Sequence, residues 1–202
     1  MKMFRLATGV FLIIIIFTGN TMASTTEKQK YRLVSDEKAF EIRYYPEATL
    51  ASVYSRANSY RKMATPGFRK LAGFIFGGNQ SNTKIAMTSP VHMDINDSVS
   101  SMSFVMPSTF EDKTLPAPSD PDVVIEKSKA EYVAVIKFRG YATDAKLARY
   151  SEKLKSILAE KEISYHGNFR YLGYNPPYQF IGRKNEIIVS IDWNEKRTAE
   201  NE

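Results

Sequence analysis

The chain has 202 residues, a formal net charge of +6 at pH 7 and no cysteine. Without cysteine, disulfides, thiolate metal sites, iron–sulfur clusters and cysteine nucleophiles are excluded. The positive excess is mild and spread along the chain, so it favours anionic ligands but does not predict nucleic-acid binding.

The first 23 residues have the pattern of a secretory signal peptide. Lys2 and Arg5 precede an apolar run, Leu6 to Phe17, and small residues end at Ala23. As a helix that run would extend about 18 Å, short of the roughly 30 Å hydrocarbon core of a bilayer. We therefore expect cleavage, no membrane span in the mature chain and a periplasmic or secreted protein; a retained N-terminal membrane anchor is the alternative.

The first half of the remaining chain predicts four strands and a helix. A polar linker, residues 24–30, comes first. Alternating or β-branched runs predict strands at 40–44, 50–54, 91–95 and 102–106. Thr65 and Pro66 are typical of a helix start and Gly77-Gly78-Asn79 of a helix stop, which predicts a helix over 66–76.

The second half repeats this order after a surface segment, residues 107–121, that contains four prolines. Strands are predicted at 123–126, 132–138, 169–174 and 186–192, and Thr143-Asp144 predicts a helix from 144 to 161. The charged end, 194–202, is predicted to be a disordered tail. The offset of about 80 to 85 residues indicates two βαββ units in one α+β domain, residues 31–193, with an antiparallel curved sheet or barrel and both helices outside.

The two predicted helices differ in their apolar faces. In the second, one core-facing stripe contains Leu147, Tyr150, Leu154, Ile157 and Leu158. In the first, the stripe comprises Phe68, Leu71, Ala72 and Ile75, which leaves Phe74 about 120° from its centre. That ring either packs under a loop or forms, with Gly73 and the cations Arg69 and Lys70, the wall of a site for a flat apolar acid.

The chain contains two histidines, and neither lies in a catalytic motif. His92 falls on the polar face of its predicted strand, where it is either solvated or an axial ligand of a metal ion. His166 is predicted in a loop. Met63 is either a packed side chain or a soft axial ligand. Because no paired acid and base can be named, we expect a binding protein and not an enzyme.

A second group of candidate ligand contacts lies between the last two strands. Tyr174, Tyr178 and Arg183 combine aromatic rings and a cation on a connection that Pro176 and Pro177 stiffen. The group either packs as an ordinary wide hairpin or holds a planar acid by stacking and charge.

Six separated segments resemble the SOUL haem-binding protein family. They occur in order at 40–46 (FEIRYYP), 67–79 (GFRKLAGFIFGGN), 84–91 (KIAMTSPV), 102–107 (MSFVMP), 174–177 (YNPP) and 183–186 (RKNE). The resemblance runs from about Tyr31 to Asp192. It implies a distorted antiparallel β-barrel with two flanking helices and internal duplication. It also implies non-covalent binding of haem b or another tetrapyrrole in a shallow hydrophobic site beside the first helix.

From the residues and the resemblance together, we expect an exported, monomeric protein that binds haem or another porphyrin mainly by burying apolar area. Arg69, Lys70 and Arg183 would lie near the propionates, and iron ligation by His92 would be optional. Two alternatives remain open: a carrier or sensor of another small hydrophobic molecule, and an enzyme that modifies a tetrapyrrole.

Overall fold

A computed structural model describes residues 26–110, 115–176 and 178–194, which form eleven strands and two helices. The predicted signal peptide and nearly all of the predicted tail lie outside these residues. The elements are β1 Glu27–Lys28, β2 Arg32–Asp36, β3 Glu41–Tyr45, β4 Ala48–Ser55, α1 Tyr60–Ile75, β5 Thr88–Ser89, β6 Val91–Asp94, β7 Ser100–Val105, β8 Val123–Ser128, β9 Glu131–Arg139, α2 Asp144–Glu160, β10 Tyr165–Gly173 and β11 Lys184–Ile191.

Nine strands form one antiparallel sheet in the order β2-β3-β9-β11-β10-β6-β7-β4-β8, and β1 pairs with β5 in a small parallel sheet. The predicted α+β class, with a large antiparallel sheet and two helices, is confirmed. Within the described residues, however, the edge strands β2 and β8 do not pair with each other, so the sheet is open and closure into a barrel is not confirmed. Each predicted strand is present, and three short ones, β1, β2 and β5, were not predicted.

The order of strands in the sheet reflects the two halves of the chain. β4-α1-β6-β7 and β9-α2-β10-β11 have the same sequence of elements, and β6 pairs with β10 where the halves meet. One strand of each half also pairs with the other half: β3 of the first half pairs with β9, and β8 of the second half pairs with β4. The halves therefore share one sheet and one core instead of folding as separate units.

Both helices pack on the same face of the sheet. Helix α2 has Thr143 as its N-cap and buries Leu147, Leu154 and Leu158, as predicted. These side chains join one core with apolar residues from the sheet, among them Phe138 and Ile187. Neither helix is long and apolar enough to be a candidate for crossing a membrane.

Helix α1 begins earlier than its sequence predicts. Its N-cap is Ser59, whose hydroxyl accepts a hydrogen bond from the N–H of Lys62, and not Thr65. Pro66 therefore lies inside the helix. The C-terminus is as predicted: Gly77 has φ +111°, and the N–H of Gly78 donates to the carbonyl of Gly73 at 2.8 Å, which satisfies a carbonyl at the helix end.

The opposite face of the sheet is also buried although neither helix covers it. Residues 27–31, here called the N-terminal strap, cross this face from β5 to β2. Gln29 contacts His92 on β6, and Tyr31 stacks on Arg43 of β3. In the sheet, β3 and β6 are four strand spacings apart. A flat sheet would separate those strands by about 19 Å, so the sheet curls and this face is concave. The predicted linker, 24–30, is thus partly structured.

Candidate ligand-binding site

The wall of a ligand site that was considered around Phe74 on α1 is not present. Phe74 is 1% exposed and lies in the main core with Leu71 and Ile75, so its predicted outward orientation is wrong. Phe68, predicted to be buried, is 38% exposed and makes an edge-to-face contact with Phe104. The physical reason is the earlier helix start: a helix from Tyr60 has a buried stripe that runs through Met63, Gly67 and Leu71 to Phe74.

The other residues predicted around Phe74 are dispersed. Met63 is buried in the core, where it cannot reach a ligand at the surface. Lys70 forms an ion pair with Asp122. Arg69 is exposed, and the space that a side chain on Gly73 would occupy is open. The structure therefore does not bring these residues together with Phe74 into one wall.

His92 is held on the concave face by the N-terminal strap. Its Nε2 lies 2.6 Å from Oε1 of Gln29, so the imidazole is less accessible than its place on a polar strand face predicts. Burial, with a smaller effect from the nearby charge of Arg170, lowers the pKa of His92 to about 3. The ring is therefore neutral at physiological pH, and its Nε2–H donates to the Gln29 oxygen.

Two of the cavities on the described surface are lined without any residue of α1. One, of about 230 Å³, lies between the N-terminal strap, the β3–β4 turn and residues 105–110. The other, of about 440 Å³, is an open groove beside Trp193 that includes His166. His166 is on β10 and not in a loop, and its Nδ1 lies 3.5 Å from Oδ1 of Asp192. Both linings mix charged and apolar groups.

The most exposed apolar surface among the described residues lies on the β10–β11 connection. Tyr178, Phe180 and Ile181 are 75%, 76% and 88% exposed, more than any other large apolar side chain that the structure describes. We call residues 178–181 the aromatic loop. Folded proteins do not usually concentrate large apolar side chains at one exposed loop unless another surface covers them. This loop is therefore the candidate ligand-binding surface, and of the eight predicted ligand-contact residues it includes Tyr178.

The aromatic loop adjoins the start of α2. Phe180 contacts Tyr141, with ring centroids 6.5 Å apart. The Nζ of Lys146 lies close to Gly140, so a cation stands beside Tyr141. Together, these residues place aromatic rings and a positive charge on one surface, which is the combination that a flat apolar acid requires.

The start of α1 reaches the same region. The N–H of Tyr60 donates to Oδ1 of Asp144 at 2.5 Å, so the first turns of the two helices meet. The ring of Tyr60 contacts Tyr171 edge-to-face, and the charge of Arg183 acts on the Tyr60 hydroxyl. Arg61, next in the chain, is exposed. The first turn of α1 carries cations and no acidic residue of its own, and the carboxylate of Asp144 is the anion that lies at this helix start.

Of the remaining predicted contacts, Arg183 is buried beneath the loop and Tyr174 is partly buried. Arg183 is 7% exposed and donates to backbone carbonyls instead of facing solvent. The hydroxyl of Tyr174 donates to Oε2 of Glu186 at 2.6 Å, on the concave face. Burial, and then the charge of Glu186, raise the pKa of Tyr174, so the phenol stays protonated.

A buried ion-pair network on the concave face was not predicted. Arg43 and Glu186 are both fully buried, and Arg43 also pairs with Glu41. Burial alone would raise the pKa of Glu186, but the hydrogen bonds and charge of Arg43 lower it. A signal for this network exists in the sequence. The strand predicted at 132–138 is almost continuously apolar, which indicates burial on both faces, so a charge on a neighbouring strand needs a partner.

Solved structures with a similar fold have unrelated sequences. The chain aligns with the C-terminal domain of EcmrR at a TM-score of 0.57 and 9% identity, covering 81% of this chain and 99% of that one. A hydrolase from Listeria innocua aligns at a TM-score of 0.53 and 7% identity, covering 78% and 94%. At this identity, the similarity shows the fold alone.

Sequence relatives are closer. The chain is 29% identical to heme-binding protein 1 of Xenopus laevis over 180 residues, which cover 83% of this chain and 94% of the relative. It is 31% identical to heme-binding protein 2 of Homo sapiens over 172 residues, covering 81% and 82%. The profile of the SOUL heme-binding protein family matches residues 26–190. This protein belongs to the SOUL heme-binding protein family.

Proposed function

We propose that this protein binds haem or a related porphyrin non-covalently, on the surface that the aromatic loop and Tyr141 form. The names of its relatives support the ligand class. The observation that carries the proposal is the loop itself, where Tyr178, Phe180 and Ile181 expose large apolar side chains within four residues of the β10–β11 connection.

Apolar contact supplies most of the binding energy in this proposal. Burying about 200 Å² of ligand surface contributes about 5 kcal/mol at 25 cal/mol per Å², before the costs of association. Lys146, beside Gly140, and the exposed Arg61 on the first turn of α1 would supply positive charge for the two propionates of a porphyrin. Ion pairs at exposed positions contribute little each, so they orient the ring more than they hold it.

The described residues fit a porphyrin ring better than they fit axial ligation of its iron by histidine. His92 lies on the concave face with its Nε2 bonded to Gln29, and His166 lines the groove beside Trp193. Neither is part of the aromatic loop. Bound haem would supply a Lewis-acidic, redox-active iron, whereas the residues of the loop bind and orient its ring.

A titration tests this function. Protein without residues 1–23 is titrated with hemin and with iron-free protoporphyrin IX, and binding is followed by absorbance and by quenching of porphyrin fluorescence. We expect saturable binding of both. The double variant Phe180→Ser/Ile181→Ser should bind at least tenfold more weakly. Phe76→Ser, which removes an exposed phenylalanine at the end of α1, is the matched control and should not change the affinity.

The absence of saturable binding with either porphyrin contradicts the proposal. If Phe76→Ser weakens binding and the loop variant does not, the ligand class stands but the surface is wrong. A fatty acid of matched charge, tested in the same way, separates porphyrin recognition from general binding of apolar acids.

We also propose that the protein acts after export, in the periplasm or outside the cell. The signal-like sequence of residues 1–23 supports this location. N-terminal sequencing of the protein from its native host tests it: a first residue near Ser24 supports export with cleavage, and a retained Met1 in the membrane fraction supports the anchored alternative.

A further inference from the structure

The aromatic loop exposes its apolar side chains, so the hydrophobic effect does not fix its conformation. Polar contacts beneath it do. The side chain of Asn175 spans the base of the loop: its Oδ1 accepts from the N–H of Lys184 at 2.6 Å, and its Nδ2 donates to Oε1 of Gln179 at 2.8 Å. Gln179 in turn donates to the carbonyl of Ile181 at 3.0 Å.

Arg183 occupies the centre of this arrangement. Its Nη1 donates to the carbonyls of Pro176 and Gln179, at 2.7 and 3.0 Å, and its Nη2 donates to the carbonyl of Asn175 at 3.3 Å. The ring of Tyr141 lies 4.7 Å from the guanidinium carbon and covers one face of it. A planar fork with several donors can hold three carbonyls at once, whereas a lysine ammonium cannot do so in the same geometry.

We infer that Arg183 is a positioning residue for ligand binding: its guanidinium holds the carbonyls of Asn175, Pro176 and Gln179, and this fixes the conformation that presents Tyr178, Phe180 and Ile181. It does not pair with a ligand carboxylate, because its side chain is buried and both Nη atoms donate to backbone carbonyls. The binding part of this inference rests on the proposed function; the part that concerns the loop conformation does not.

The energetic reason is preorganisation. Ordering a flexible loop when a ligand binds costs conformational entropy for each residue that becomes fixed. A loop that is already fixed in the free protein avoids that cost, and the apolar contact then appears as affinity. Arg183 and Tyr141 also link the loop to the start of α2, so the apolar side chains keep their position relative to Lys146.

The test compares Arg183→Lys and Arg183→Gln with Arg139→Gln. Arg139 is an exposed arginine that pairs in register with Lys184 on the adjacent strand, so the control removes the same charge near the same loop. Arg183→Lys retains the charge and most of the stem. Thermal unfolding is recorded for each variant so that loss of the fold is separated from local loosening.

Two readouts follow. In the ligand-free protein, amide hydrogen exchange is measured at Gln179 and Lys184, whose N–H groups donate to the Pro176 carbonyl and to Asn175. We expect at least tenfold faster exchange at these two amides in Arg183→Lys, with β10 and the rest of β11 unchanged. Affinity for hemin should fall at least tenfold. Arg139→Gln should leave both quantities within twofold of the wild-type protein.

The outcomes separate the two proposals. Unchanged exchange in both Arg183 variants overturns the inference. Faster exchange with unchanged hemin affinity also overturns it, while the wild-type titration upholds the proposed function. A third outcome is faster exchange in the Arg183 variants together with no binding of hemin by the wild-type protein. That result contradicts the proposed function and the positioning role in binding, but it still shows that Arg183 fixes the loop.

Discussion

Arg43 and Glu186 lie 143 positions apart in the sequence and meet in two hydrogen bonds, Nη1 to Oε2 at 2.9 Å and Nη2 to Oε1 at 3.0 Å. Neither side chain is exposed. They join β3 to β11 across β9, and Tyr31 of the N-terminal strap covers the guanidinium at 4.1 Å. Because β3 belongs to the first half of the chain and β11 to the second, this pair fixes the two halves on the concave face.

Replacing Glu186 by Gln should destabilise the protein by about 3–5 kcal/mol, because it leaves Arg43 with an incomplete set of buried partners. Urea unfolding followed by circular dichroism measures the change. Glu152→Gln on the exposed face of α2 is the control and should change the free energy of unfolding by less than about 0.5 kcal/mol. A loss below about 1 kcal/mol for Glu186→Gln would show that the buried pair contributes little.

His92 should make the stability depend on pH. Its pKa in the folded state, about 3, lies below the ordinary value of 6.5, so between these values the unfolded chain binds a proton that the folded protein does not. The contribution of His92 to the free energy of unfolding is therefore fully present above pH 6.5. It declines as the pH falls toward 3, by up to about 1.4 kcal/mol per pH unit.

Urea unfolding between pH 7 and pH 5 tests this dependence, since most carboxyl groups titrate at lower pH. The variant His92→Asn should lose less stability over this interval than the wild-type protein. An equal or steeper decline in the variant would exclude His92 as the cause.

The interior position of Phe74 predicts a contrast with Phe68. Phe74→Ala should destabilise the protein by about 3–5 kcal/mol because it opens a cavity in the core. Phe68→Ala should cost about 1 kcal/mol, since this ring is partly exposed and makes one aromatic contact, with Phe104. Phe74→Leu, which preserves most of the volume, should bind hemin with unchanged affinity. A selective loss of affinity in Phe74→Leu would restore Phe74 to the binding surface.

Periodicity was sufficient to predict most elements of this fold, including α2 with its cap and buried stripe. It was insufficient for α1 because Thr65-Pro66 resembles a helix start, although the hydroxyl of Ser59 performs that role. The centre of a helix's apolar face is calculated from the residues that are assigned to that face. Omitting Met63 and Gly67 moved the calculated centre toward Phe68, so Phe74 was assigned to the wrong face.

The candidate site was only partly predictable for a different reason. Sequence reasoning located aromatic and cationic residues at Tyr178 and Arg183, but a string of residues does not show which side chain is buried. The carbonyls of Asn175, Pro176 and Gln179 accept from Arg183, and this geometry depends on non-local contacts such as the one with Tyr141. The Arg43–Glu186 pair is non-local in the same way, since its members meet only when β3 joins the second half.

Iron should contribute little to affinity if the aromatic loop is the binding surface. Hemin and iron-free protoporphyrin IX should bind with dissociation constants within about threefold of each other, because apolar burial is the same for both. His92→Ala and His166→Ala should each retain the hemin spectrum and affinity of the wild-type protein, since neither ring lies on the loop. Absorption spectra of the ferric complexes and fluorescence titrations measure these quantities. A histidine variant that loses the shifted Soret band while it still binds protoporphyrin would instead identify that histidine as an axial ligand, and the porphyrin would then lie away from the aromatic loop.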